Sequence, residues 1–94
     1  METITVIPKE QLKDLNFFKS DVLNDVSMRQ KRRLNLNRAM LLGNLEHNKV
    51  KINFLTEDGT LHQVETTIWG LTQNFILLKG GVSIPIRSVV KLDF

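Results

Sequence analysis

Residues 75–94 read Phe75-Ile76-Leu77-Leu78-Lys79-Gly80-Gly81-Val82-Ser83-Ile84-Pro85-Ile86-Arg87-Ser88-Val89-Val90-Lys91-Leu92-Asp93-Phe94. Apolar runs alternate here with two kinds of connection. Lys79-Gly80-Gly81 is the tightest turn signal in the chain, because glycines supply the positive φ that a tight hairpin needs. Ile86-Arg87-Ser88 is too short for a hairpin loop and reads as one turn of 3₁₀ helix. Phe75–Leu78 is an unbroken apolar run, expected to form a strand buried on both faces. Val82–Ile86 and Val89–Phe94 are two further strands.

Upstream, from Lys49, the hydropathic period is two. Val50, Ile52 and Phe54 alternate with Lys49, Lys51 and Asn53, the pattern of a half-buried strand. Thr56-Glu57-Asp58-Gly59 is a hairpin turn. A long second strand runs from Thr60 to Leu71, with Val64, Thr66 and Ile68 on one face and Glu65, Thr67 and Trp69 on the other. Gly70 permits a sharp bend near its end, and Thr72-Gln73-Asn74 makes the next turn. Five short strands with short turns are expected to close into a small barrel, which removes free sheet edges.

The half before Gly43 has no glycine and reads as helical. Residues 2–7 favour an extended conformation, a short strand or a tail. Pro8 suits a helix start, and Leu12, Leu15, Phe18, Val22 and Val26 recur at helical steps. This predicts a helix from Lys9 to Val26, with room for a break near Lys19–Asp21. A second helix follows, with Leu36, Ala39 and Met40 on one face and Gly43-Asn44 as its stop. The expected organisation is residues 1–44 as an N-terminal extension and 45–94 as the barrel, in one compact domain. The fold class is mostly β with N-terminal helices, an α+β chain.

The chain has 94 residues, no Cys, 13 Lys+Arg and 10 Asp+Glu, for a net charge of +3. Its opening residues carry neither a basic n-region nor a long apolar h-region, so no secretory signal is expected. No apolar run approaches membrane-spanning length. A cytoplasmic protein without membrane association is the expectation. The charge is uneven: no acid stands between Asp25 and Glu46, where Arg29, Lys31, Arg32, Arg33 and Arg38 supply +5, against −2 elsewhere.

Ile76-Leu77-Leu78-Lys79-Gly80-Gly81-Val82-Ser83 resembles the third and fourth strands of Sm-like barrels of the Hfq type. Ile84–Leu92 resembles the strand, 3₁₀ turn and strand that close Sm-like and SH3-like small barrels. A helix ahead of such a barrel is also similar to the Rof family, which binds the termination factor Rho. Glu65–Trp69 and Lys79–Ile86 resemble stretches of short Bacteroidetes proteins. The resemblance implies a five-stranded barrel preceded by one or two helices. It further implies RNA binding, and self-association through a seam between the fourth and fifth strands. Val82, Ile84, Val90, Leu92 and Phe94 would supply that seam, although Pro85 removes one amide donor from it. Arg87 alone stands where the Hfq type carries its RNA-contacting Tyr-Lys-His motif.

Guanidinium groups pair well with phosphates, and each neutralised phosphate releases counterions. Arg29, Lys31, Arg32, Arg33 and Arg38 are therefore candidate contacts to RNA or another polyanion. The competing reading is a solvated helix face paired with Asp14, Asp21 and Asp25. Trp69 is a candidate stacking platform for a base, although a lone Trp in a small barrel more often fills the core. His47 and His62 have no partners at metal-ligand spacing. No Ser/His/Asp order, phosphate loop or paired-carboxylate motif stands in the sequence, so neither an enzyme nor a cofactor is expected. The expected function is a non-enzymatic nucleic-acid-binding module. The alternative is a protein-interaction adaptor or a homo-oligomer.

Overall fold

The structure is a computed structural model that describes residues 3–94, so Glu2, at the start of the expected extended stretch, lies outside the described residues. In chain order the elements are β1 (Thr5–Val6), a 3₁₀ turn (Lys9–Asp14), α1 (Val26–Glu46), β2 (Val50–Leu55), β3 (Leu61–Thr66), β4 (Ile68–Leu71), β5 (Phe75–Leu78), β6 (Ser83–Pro85), a 3₁₀ turn (Ile86–Ser88) and β7 (Val89–Asp93). They form an α+β fold with two open sheets, ordered β1-β3-β2-β7 and β4-β5-β6. β1 runs parallel to β3, and the other pairs are antiparallel.

The expected closed barrel is not observed. Among the described residues, β6 pairs only with β5, and β7 only with β2. Pro85 ends β6 without an amide donor, and the chain turns at once through Ile86–Ser88 into β7. The Ser88 hydroxyl fixes that turn by donating to the Pro85 carbonyl at 2.8 Å. The long strand expected from Thr60 to Leu71 is split at Thr67 into β3 and β4. β1 also precedes the helix, so the helical part does not come before all the strands.

The first expected helix, Lys9–Val26, is absent. After the 3₁₀ turn at Lys9–Asp14 the chain runs as an irregular strap past the end of β2 and the turn before β7. Asp14, Asn16, Ser20, Asp21, Asn24 and Asp25 are poor helix formers whose side chains compete for backbone groups. Tertiary hydrogen bonds take the backbone instead. The Phe18 amide donates to the Leu55 carbonyl at 3.1 Å, and the Val22 amide to the Arg87 carbonyl at 2.9 Å. Leu12 is buried from the 3₁₀ turn and Leu23 from the strap.

α1 starts at Asp25, whose carboxylate accepts the Ser27 amide at 2.8 Å, a polar cap of the first turn. It buries Arg32, Leu36, Ala39 and Gly43 against β4 and β7. Helix and strands share a core that includes Ile52, Phe54, Val64, Ile68, Ile76, Leu78, Ile84 and Val89. Leu36 is fully buried there, a site where truncation to Ala typically costs about 3 kcal/mol. β5 departs from expectation. Ile76 and Leu78 are buried, but Phe75 and Leu77 are exposed, because no second layer covers their face.

Gly43 does not stop the helix. α1 continues to Glu46 and ends at His47, whose φ of 56° is left-handed and whose amide donates to the Gly43 carbonyl at 3.0 Å. Gly43 instead lets helix and strand touch. A methyl group there would lie 2.6 Å from the Ile68 carbonyl oxygen and 2.9 Å from a Thr67 methyl. Gly43→Ala gains about 1 kcal/mol of helix propensity. Forcing α1 away from the β4 backbone costs about 1–3 kcal/mol. The variant is expected to melt at a lower temperature than the parent, and a stabilised Gly43→Ala protein would contradict the close approach.

Candidate functional site

The acid-free run on α1 divides into residues with different surroundings. Arg32 points into the molecule and is 7% exposed. Its Nη1 and Nη2 donate to the two carboxylate oxygens of Asp21, at 3.0 and 2.8 Å. Nη1 also donates to the Val89 carbonyl at 3.0 Å, and its buried Nε has no acceptor among the described residues. Arg29 stands beside the same carboxylate at 3.4 Å and donates through Nε to the Leu23 carbonyl at 2.6 Å. Burial raises the pKa of Asp21. The Arg32 hydrogen bonds, the Leu23 amide and the charges of Arg32 and Arg29 more than offset it, so the carboxyl lies below its ordinary value.

Two further arginines reach the neighbouring surface. Arg33 donates from Nη1 to the Thr72 carbonyl at 3.2 Å and from Nη2 to the Gln73 carbonyl at 2.8 Å. Arg87, on the 3₁₀ turn after β6, donates through Nε to the Phe18 carbonyl at 2.8 Å. Its Nη atoms have no protein acceptor among the described residues. Arg29, Arg33 and Arg87 line a cleft of about 430 Å³, with the Arg32–Asp21 pair at its wall and Gln73, Asn74 and Phe75 on its β4–β5 side. Asp21 is the sole acid of the lining and is engaged by Arg32. Carbonyl groups take some of the donors of Arg33 and Arg87 without cancelling their charge. The cleft therefore carries a cationic excess beside a half-exposed aromatic ring, a lining suited to an anion.

The remaining candidates lie outside this lining. Lys31 is exposed and has no ion-pair partner among the described residues. The Arg38 guanidinium sits 5.0 Å from the centroid of the Phe94 ring, a cation–π contact. Trp69 is 53% exposed rather than in the core, in a bulge where β4 pairs Ile68 with Leu78 and Gly70 with Leu77. Of the seam candidates, Ile84 and Leu92 point into the core, Val82 and Val90 are half-buried, and Phe94 is exposed under Arg38. Asp14 and Asp25 do not pair with the arginines. Asp25 caps α1, and the Ser27 hydroxyl and amide hold its pKa low. His47 ends the helix, and the His62 ring stacks on Phe54. Gln73, Asn74 and Phe75 were readable as a turn and a strand start, but no local signal ties them to an arginine about forty residues away.

No helix among the described residues is long and apolar enough to cross a membrane. Compared with family models, curated proteins and solved structures, the chain matches none. Its chemistry is therefore argued from the cleft itself.

Asp21→Asn leaves a buried guanidinium without its counter-charge and is expected to destabilise the fold by about 3 kcal/mol at neutral pH. Lys31→Gln should change stability by less than about 0.5 kcal/mol. Asp21 has a depressed native pKa, so its contribution is complete above the unfolded value of about 4 and is lost as pH falls through the native one. Urea melts across the acid range should show a steeper loss for the parent than for Asp21→Asn. Matching acid limbs would mean the pair contributes nothing to folding.

Proposed function

We propose that the protein is a non-enzymatic RNA- or single-stranded-nucleic-acid-binding module, and that its phosphate site is the Arg29–Arg33–Arg87 cleft. The observation that carries the reading is the convergence of three partly accessible guanidinium groups, from α1 and from the turn after β6, on one concave surface. Each is held by a backbone carbonyl, which fixes its direction at little cost in side-chain entropy. Phe75, beside them, offers a face on which a base stacks. The module is read as a small barrel of Sm-like or SH3-like type, left open between β6 and β7. Support for that reading is the near-continuity of β3 and β4 through Thr67, whose carbonyl accepts the Lys79 amide at 3.1 Å.

This moves the binding site relative to the charge run. Arg32 is a structural residue in this reading, and Lys31 and Arg38 are peripheral. The test is a titration of labelled single-stranded RNA and DNA at low and moderate salt. Combining Arg29→Gln, Arg33→Gln and Arg87→Gln should weaken binding by about tenfold or more and reduce the slope of log K against log salt by about 2. Lys31→Gln with Arg38→Gln should weaken it less than about threefold. Thermal melts establish that every variant is folded. Absence of binding by the parent at low salt, or equal losses in the two sets, would overturn the reading.

A further inference from the structure

The solvent face of α1 carries Leu34, Leu41 and Leu45, which are 68%, 57% and 77% exposed. Lys31, Leu34, Arg38, Leu41 and Leu45 follow at alternating three- and four-residue steps, the spacing of a coiled-coil seam. On a helix of 3.6 residues per turn they fall within an arc of about 80°, opposite the buried face. None of the described residues covers them.

We infer that this face is the seam of a two-fold dimer, with α1 of one copy lying antiparallel on α1 of a second. The spacing is its own mirror about a point between Ala39 and Met40. A two-fold axis there sets Leu34 of each copy against Leu45 of the other, and the Arg38 stem across Leu41. The same patch then serves both copies, as a closed two-fold interface requires.

Charge decides the direction. The seam contains cations and no acid. Parallel helices would stack Arg38 on Arg38 and Lys31 on Lys31. The antiparallel register sends the two Lys31 side chains to opposite ends and faces each Arg38 with a leucine. The Arg38 head is already drawn aside over Phe94, which leaves its methylenes to cover Leu41. Arg29 and Arg33 lie off the seam on the helix, so pairing leaves the cationic cleft open. Because the interface is apolar and each copy carries +3, added salt strengthens dimerisation, whereas it weakens polyanion binding.

Two experiments on the full chain test the dimer. In sedimentation equilibrium, the mass should rise to two chains with concentration. It should fall back to one chain when Leu34→Gln, Leu41→Gln and Leu45→Gln are combined. These exposed substitutions leave the circular dichroism spectrum unchanged. The second experiment reads direction, in a protein with no native cysteine. Under mild oxidation, a mixture of Leu34→Cys and Leu45→Cys proteins should cross-link, and neither should cross-link alone. A single-chain mass at every concentration, or a dimer that survives the triple Gln variant, would overturn the inference. So would cross-linking of each Cys variant with itself and not with the other.

Discussion

The structure turns on one buried guanidinium. Arg32 joins three pieces of chain: α1, which carries it, the strap at Asp21 just before that helix and, 57 residues further on, the start of β7 at Val89. Taking an arginine out of water costs several kcal/mol unless its charge is met by a well-placed partner. The two-pronged geometry of the Asp21 carboxylate supplies that partner, and the Val89 carbonyl takes a further donor. The strap cannot become a helix while it meets this demand. A continuous helix from Lys9 would swing the Asp21 carboxylate away and strand the charge.

Arg87 secures the same strap from the other side. Its backbone carbonyl accepts the Val22 amide, and its side chain donates to the Phe18 carbonyl. A single residue on the turn after β6 therefore grips the strap on both sides of Asp21. Each such hydrogen bond contributes on the order of 1 kcal/mol net, but together they set the direction of two guanidinium groups. Arg29 and Arg87 face the same cleft because the strap lies between them.

What could be read in the sequence follows from which signals are local. The turns at Thr56–Gly59 and Lys79–Gly81, and the 3₁₀ turn at Ile86–Ser88, were legible because a few adjacent residues determine them. Both glycines of the Lys79–Gly81 turn have positive φ, 93° and 85°, as the hairpin requires. The strand alternation set Glu65, Thr67 and Trp69 on one face, but Thr67 is buried and Trp69 exposed, because the strand breaks at Thr67; the expectation that a lone Trp fills the core does not hold here. The stretch from Lys9 to Val26 was misread because its apolar spacing mimics a helix while its backbone partners lie on β2 and at Arg87. α1 was hard to read for a related reason. Its buried face includes an arginine and a glycine, and its solvent face three leucines, so the usual polarity of a surface helix is blurred. Of the cleft, the arginines were legible and their convergence was not.

The basic run is thus neither a uniform binding face nor a uniformly paired one, and the difference lies in the type of partner each arginine has. A carboxylate takes donors and meets the charge of a guanidinium at once, as Asp21 does for Arg32 through Nη1 and Nη2. A carbonyl satisfies donors and leaves the charge. Arg33 and Arg87 have carbonyl partners only, and Arg29 shares a carboxylate that Arg32 already holds in two hydrogen bonds. In the free protein, water and mobile ions screen that excess. In the proposed binding, a phosphate in the cleft would replace them with a fixed counter-charge at sites whose geometry is already set, and would release the ions to bulk. The carbonyl anchors that look like a structural explanation for these arginines are therefore also what keeps their charge available.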